Sequence, residues 1–452
     1  MRGVMTNINY SLEFKQQVEE LLKKEFDDKE DEQKVKDKHL NLYALCYDSI
    51  YLRQVYAGLN EPIDIFNNFN DFVKKLVNVA NEKMFLGTLF DEVKRYVDRR
   101  EEEERKRKES KFRLLESPGG TMHPESKFYI EREADKECWD LLNQRKPLIF
   151  VQSPRETGKS SLLQRMLYRW QQASNRKQVF MDFQKIPIRY FSEVEGEKKF
   201  YIELCEVISE QLNLESKVND FWKGENSLKF FEQYLTNYIL QNITNHFIIA
   251  IDETERLLKS LHKDDFFGWL KSWQGQQNTN SLSSLTILFS ISNEYYLEVE
   301  NPETDLLTFA SVISLADFTP QQVHHINQQY SKPLPDDTVQ SIITLVGGHP
   351  ALTRLAIHKV ATGYENPNDL LANATKHDKL FGEHLKRFYS YISQQKNLKE
   401  YLTQLCVGQR SQITSPEFLR LEQAGVIKKQ GNEVVFRNKL YNDYFSEYLL
   451  SK

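Results

Sequence analysis

The feature that most constrains this chain is the octapeptide Ser153-Pro154-Arg155-Glu156-Thr157-Gly158-Lys159-Ser160, set between the apolar run 148–151 and an amphipathic stretch. An unbroken run such as Leu148-Ile149-Phe150-Val151 reads as a strand buried on both faces. Leu162, Leu163, Met166, Leu167 and Trp170 recur at helical spacing, so a helix follows the octapeptide directly. A phosphate-binding loop needs a tight turn with inward N–H groups, a glycine where the chain nears the anion, then a lysine and a hydroxyl. Gly158, Lys159 and Ser160 supply the last three, and the helix N-terminus adds positive potential beneath them. Ser153 stands where the pattern has its first glycine, and serine is strained there if the position requires a left-handed backbone.

Four further apolar runs, at 178–181, 247–251, 285–289 and 312–315, alternate with amphipathic stretches. That alternation predicts an α/β fold, a parallel sheet with helices on both faces. About ninety residues after the loop, the third run ends in Asp252-Glu253. At a strand tip beside a phosphate loop, an aspartate suits a hydrated Mg²⁺ and the next glutamate can orient or deprotonate water. Taken alone, the same acids read as a cap for 255–258, with Asp252 or Thr254 opening the helix. Ser292 and Asn293, after the fourth run, are candidates for sensing a terminal phosphate; their plainer reading is turn chemistry.

Around this core, residues 1–98 read as an all-α bundle, with Phe14, Val18, Leu21 and Leu22 on one stripe and Phe72, Leu76, Val79 and Ala80 on another. In the charged run that follows, each glutamate from Glu101 to Glu104 has a base four residues later, which suits a solvated helical spacer over 99–116. With 452 residues, more than one core is expected. Cys46, Cys138, Cys205 and Cys406 are too scattered for a metal cluster and read as reduced core residues. No stretch reaches the ~18 apolar residues of a membrane helix and the N-terminus has no apolar leader core, so the expected location is the cytoplasm, with no membrane partner. A net charge of -5 offers no global attraction for nucleic acid.

The segment Gly119-Gly120-Thr121-Met122-His123-Pro124-Glu125-Ser126-Lys127-Phe128-Tyr129-Ile130-Glu131-Arg132 resembles the opening signature of the AAA-like ATPase domain widespread in cyanobacteria. That family's loop reads Gly-Pro-Arg-Gln-x-Gly-Lys-[Thr/Ser], and 153–160 is similar, departing at Ser153 and Glu156. Asp252-Glu253-x-x-Arg256-Leu257, Phe266-Phe267-Gly268, Ser272-Trp273 and Asp317-Phe318-Thr319-Pro320 resemble it as well. Tyr129-Ile130-Glu131-Arg132-Glu133 and Gly347-Gly348-His349-Pro350 are similar to segments of the wider STAND signalling ATPases. By itself the second reads as a helix stop and restart.

The resemblance implies a P-loop core over 117–318, a helical lid over 319–394 and a C-terminal winged helix over 395–452. It implies nucleotide contacts from Ser153, Pro154, Arg155, Glu156, Thr157, Gly158, Lys159, Ser160 and Ser161, from Arg132, and from Pro350 near the base. Ser160 and Asp252 would hold Mg²⁺, and Glu253 would activate water. Arg155, Arg256 and Arg354 are candidate arginine fingers. Residues 1–98 are similar to effector-associated, death-like adaptors, carried by the segments 59–65, 72–76, 86–90 and 93–96.

The function expected is an ATP/ADP switch that controls self-association and recruits an effector protein, in signalling or bacterial defence. Two alternatives stand beside it. One is a DNA-directed ATPase reading duplex through Lys428, Lys429 and Arg437, although 395–452 carries only nine bases against six acids. The other is a non-hydrolysing nucleotide-binding scaffold, suggested by Ser153 and Glu156.

Overall fold

The computed structural model describes residues 118–450 except 173–175, 244, 276–280, 299–307, 331–332 and 410–412, together with 69–82 and scattered positions between 16 and 116. The chain divides into two compact units, Met1–Glu116 and Ser117–Lys452. In the first, helix α1 (Phe69–Glu82) buries Val73, Leu76, Val77 and Ala80, a three-and-four spacing that forms one apolar stripe. Val79, expected on that stripe, is half-buried at its margin. Val18, Leu22, Leu86, Leu89 and Val93 are buried too. Phe14, Leu21, Cys46, the side chain of Phe72 and the segment 59–65 lie outside the described residues, as does the spacer except at Arg99, Glu102 and Glu116. Among the described residues, no helix is long and apolar enough to cross a membrane.

The second unit is built on a parallel five-stranded sheet, β1 (Leu148–Ser153), β2 (Gln178–Asp182), β3 (Phe247–Asp252), β4 (Leu285–Ser292) and β5 (Ser311–Ile313), in the order β2-β3-β4-β1-β5. Of the three inner strands, β3 and β4 are buried at every residue and β1 at all but Gln152, whereas the edge strand β2 alternates and β5 is only three residues long. Short or alternating strands are what a sheet edge tolerates.

Period-two alternation along β1 sends Ile149 and Val151 to one face and Leu148 and Phe150 to the other. On the first face they meet Leu142 of α2 (Glu133–Asn143) and Leu163, Met166 and Trp170 of α3 (Lys159–Gln172). On the second, Phe150 stacks on its register partner Phe289 at 4.5 Å. That face is covered by α4 (Gly196–Gln211), α5 (Ser227–Tyr234) and α6 (Lys263–Gly275) through Phe200, Phe231 and Phe266. The fifth expected run is shorter as a strand because Leu315 leaves the ladder and gives its N–H to the Ser153 hydroxyl.

Beyond β5 the chain is mostly helical. α7 (Pro320–Gln328) starts on a capping box between Thr319 and Gln322, with proline in the first turn. α8 (Asp336–Val346) stops at Gly347 in the left-handed region, and α9 (Pro350–Ala361) restarts behind Pro350. Gly348 is required at its place, because a Cβ there would lie 2.1 Å from the Phe318 carbonyl oxygen. Then come α10 (Gly382–Ser393), α11 (Lys396–Cys406), α12 (Pro416–Gln423), the hairpin β6 (Ile427–Gln430) and β7 (Glu433–Phe436), and α13 (Lys439–Leu450). These helices share one core, in which Leu352, Leu385, Phe388, Leu402, Leu421 and Tyr441 pack with Phe128 and Ile130 from ahead of the sheet.

Candidate functional site

β1 lies between β4 and β5, so the chain leaves it for the far edge, returns through β3 and β4, and crosses to its other side. Crevices at the carboxyl ends of strands form where the winding reverses in this way. The loop from β1 to α3 stands there. Thr157 donates its hydroxyl to the Pro154 carbonyl at 2.8 Å, and Lys159 Nζ reaches the same oxygen at 2.9 Å. From outside, Arg132 donates to the Thr157 carbonyl at 2.9 Å and the Ala316 carbonyl at 3.1 Å, and lies over the Phe318 ring. Ser161 Oγ accepts the Met122 N–H at 3.0 Å.

The strain expected at Ser153 is not there, because the left-handed residues of the loop are Glu156 (φ 62°) and Gly158 (φ 100°). Serine instead adds a contact that glycine cannot make. Its buried Oγ accepts the Leu315 N–H at 2.7 Å, and its carbonyl accepts the Asn293 N–H at 3.1 Å, joining the tip of β1 to both neighbouring segments.

Two acids end β3. Asp252, 7% exposed, accepts the Glu253 N–H at 3.1 Å and the Ser290 hydroxyl. Glu253 takes a left-handed backbone, φ 57°. Thr254 makes no side-chain cap, so the capping reading of this segment is not realised. A third acid, Glu255, has a carboxylate buried against the Ser292 N–H at 3.1 Å. Burial and repulsion from Glu253 push it up to about 7, against the pull of Lys159. Burial lowers the Lys159 ammonium in turn, while Glu255, Asp252, Glu253 and Glu294 hold it up.

A cavity of about 500 Å³ opens beside the loop, within the range of small-molecule sites. Arg155, Glu156, Thr157, Gly158, Lys159, Ser160, Ser161, Arg132, Glu253 and Pro350 line it. Ser153, Pro154 and Asp252 do not reach its wall, and neither do Ser292 and Asn293, which are buried at the tip of β4. An apolar part of the wall is formed by Met122, Phe128, Ile130, Phe318 and Leu355, and Arg354 lies over the Phe128 ring at 4.4 Å. Arg256 is held elsewhere, donating to the carbonyls of Phe183 and Ile186 at 3.0 Å each, which removes it from the arginine-finger candidates.

The helical segment meets the loop through residues that sequence reasoning missed. Glu156 accepts from His384 Nδ1 at 2.7 Å and from Arg387 at 3.1 Å, and Arg387 also pairs with buried Glu294 at 3.3 Å. Burial alone would raise the Glu156 carboxyl, but His384 and Arg387 hold it well below its usual range. Gly425, after α12, faces Pro154, where a Cβ would come within 2.5 Å of the proline ring. Arg437 pairs with Asp317 at 2.9 Å and is 9% exposed, which takes it out of the basic patch expected with Lys428 and Lys429. None of these pairs has a local motif. The one signal was Glu156 itself, since a carboxylate in a phosphate loop calls for a cation.

Among the described residues, no group of histidine, cysteine and acidic side chains is arranged to hold a metal on its own.

The sequence profile described as AAA-like domain matches residues 117–447. No curated protein sequence matches the chain. Among solved structures, it is similar to a Walker-type ATPase of Pyrococcus abyssi at 16% identity and a TM-score of 0.50, over 71% of this chain and 99% of that one. It is also similar to the Aeropyrum pernix ORC2 protein in ADPNP and ADP complexes, at 13% identity and TM-score 0.39, over 70% and 91%. A STAND protein with a tetratricopeptide-repeat sensor from Pyrococcus horikoshii matches at 15% and 0.34, over 72% of this chain and 43% of that one. The first likeness is one of fold.

Proposed function

Because the chain belongs to the AAA-like domain family, we propose that it is an ATP-binding P-loop ATPase that hydrolyses slowly and works as a nucleotide-driven switch. The observation that carries this reading is one cavity lined by the loop residues 155–161, by Glu253 from the tip of β3 and by Pro350 at the start of α9. A phosphate chain along the loop would meet inward N–H groups, the Lys159 ammonium and the α3 N-terminus, while the base lies against the apolar part of the wall near Phe128 and Pro350. Ser160 and Asp252 offer hard oxygen donors suited to Mg²⁺, which when bound neutralises charge on phosphate oxygens. Glu253 faces the cavity as the group to orient or deprotonate water. Glu255, buried beside Lys159, sets the charge of the lysine pocket. Ser292 and Asn293 are kept as sensor candidates that act through the β4 tip.

In this reading 117–318 is the ATPase core, 319–394 the lid and 395–452 a winged helix, with 99–116 a charged linker. Exchange of ADP for ATP loosens the lid and winged helix from the core and exposes a surface for self-association, and 1–98 recruits a separate effector protein in a cytoplasmic signalling or defence system. A ligand shifts such an equilibrium only by its unequal affinity for the two states. The contacts Glu156–His384, Asp317–Arg437 and Pro154–Gly425 support a coupled lid, since each joins the nucleotide end of the core to the segments that would move.

A second reading, a DNA-directed ATPase, is favoured only by exposed Lys428 and Lys429 on β6. The test is Mg²⁺-dependent ATP and ADP affinity of the protein beside Lys159→Ala, with mass followed by light scattering. Binding lost in the variant, with an ATP-specific rise in mass, is the expected result. No binding by either protein overturns the reading in favour of a scaffold.

A further inference from the structure

Glu156 is an unexpected residue to find on the rim of an anion site. Four carboxylates, Asp252, Glu253, Glu255 and Glu294, already act on Lys159, so a fifth at the loop works against any phosphate that enters. Its backbone is left-handed at φ 62°, a conformation unfavourable for a non-glycine residue. Yet the carboxylate, although the side chain is partly exposed, has two partners. One oxygen lies 2.7 Å from His384 Nδ1 and the other 3.1 Å from Arg387, both on α10, more than two hundred residues away.

His384 is 7% exposed and is held from its other side by the Tyr441 hydroxyl at 2.7 Å from Nε2, so the ring is fixed between α13 and the loop. Facing a carboxylate, Nδ1 carries the proton. Arg387 is fixed as well, between Glu156 and Glu294. Glu156 and His384 both line the cavity. The groups that face the loop's extra carboxylate, the Arg387 guanidinium and the His384 ring, are thus carried by the helical segment.

We infer that Glu156 makes phosphate binding conditional on the docking of α10: Arg387 neutralises, and His384 hydrogen-bonds, a carboxylate that the loop carries, and when the helix lifts away that carboxylate repels the ligand. This rests on the nucleotide reading above. It adds a named device to it, because opening of the lid lowers phosphate affinity through charge, with no rearrangement of the loop backbone. A glutamine at 156 keeps the side-chain shape and removes the dependence.

The test is a double-mutant cycle on the full chain, reading ATP and ADP affinity for wild type, Arg387→Gln, Glu156→Gln and the double variant, with Lys159→Ala as control. With Glu156 present, Arg387→Gln is expected to weaken binding by about tenfold or more, and with glutamine at 156 by less than about threefold. Equal losses in both backgrounds would mean that Arg387 only supports the fold, and no loss in the first would mean that Glu156 does not repel the ligand; either overturns the inference. Should Arg387→Gln fold poorly because buried Glu294 loses its partner, His384→Leu, which has no donor for Glu156, replaces it in the same cycle with the same two criteria. Failure of the nucleotide reading itself is recognised separately, as wild type and Lys159→Ala binding alike.

Discussion

On the sheet side of the cavity, polar groups close on near neighbours. Thr157 reaches three residues back to Pro154, Lys159 five residues back to the same carbonyl, and Glu253 one residue back to Asp252. On the helical side, contacts reach farther along the chain, by 228 residues from Glu156 to His384 and by 120 from Asp317 to Arg437, and Phe318 meets Gly348 across α7 and α8. The first wall is a strand, a turn and a helix held from beneath by two cores of the sheet. The second is a set of docked helices that share an apolar core with Phe128 and Ile130 and meet the loop end of the sheet through charged pairs and close approaches at two glycines. Near contacts survive when one element moves, whereas distant ones report whether the elements are together. A switch needs both kinds, one to hold the ligand and one to sense it.

If that division is right, damage on the sheet side removes binding and leaves stability, and damage on the helical side does the reverse or couples the two. Lys159→Ala is the largest expected effect, a loss of about a hundredfold or more in ATP affinity by calorimetry, since a charge-assisted contact to the phosphates goes. Its denaturation midpoint should stay close to that of wild type. A large fall in stability would show that the lysine holds the loop itself.

Gly348→Ala should act in the opposite sense. The new Cβ lies 2.1 Å from the Phe318 carbonyl oxygen, on a backbone at φ 79°, and neither carbonyl nor turn can yield cheaply. A destabilisation of about 3 kcal/mol by denaturant titration is expected. A loss under about 1 kcal/mol would mean that the junction between α8 and α9 is not clamped to the end of the core. Arg437→Leu comes next. It leaves Asp317 without its bidentate partner, with both side chains largely buried at 9% and 26% exposure. About 1–3 kcal/mol should be lost, with earlier proteolysis in 395–452. If stability is unchanged, the C-terminal segment does not depend on this pair for its attachment.

The same division explains what could be read from residues in order. All five strands are apolar runs bounded by turns, and Gly158-Lys159-Ser160 and Asp252-Glu253 are contiguous, so their spacing carries the chemistry. Pro350 could be placed by Gly347-Gly348-His349-Pro350 because glycine and proline mark helix ends whatever the tertiary context. His384, Arg387, Glu294 and Arg437 could not, for each lies in an ordinary amphipathic or turn segment and gains its role from a partner far along the chain. The role of Ser153 is hidden for a related reason: its hydroxyl has a partner only because Leu315 arrives beside it from β5. Glu255 carries no signal of its own in the sequence, because an acid in a first helical turn is ordinary.

The smallest expected effect tests the Glu156 contact from the protein's own stability, without a ligand. The folded carboxyl is held below its ordinary value of 4.5 by His384 and Arg387, against burial, which would raise it. A depressed carboxyl contributes stability above its unfolded value and loses it as pH falls toward the folded one. Wild type should therefore exceed Glu156→Gln in Tm at neutral pH, and the gap should close as pH falls below about 4.5. Glu294, on the far side of Arg387, acts in the opposite direction because burial raises it, and Tyr441 stays neutral throughout. Burial dominates both and the Glu156 charge is a smaller influence on each, so most of the difference between the two proteins lies at Glu156 itself. The Glu156 side chain is 36% exposed, so solvent screening keeps the gap modest. A gap independent of pH would mean that shape at position 156, and not charge, joins the loop to α10, and the neutralisation argument would fall with it.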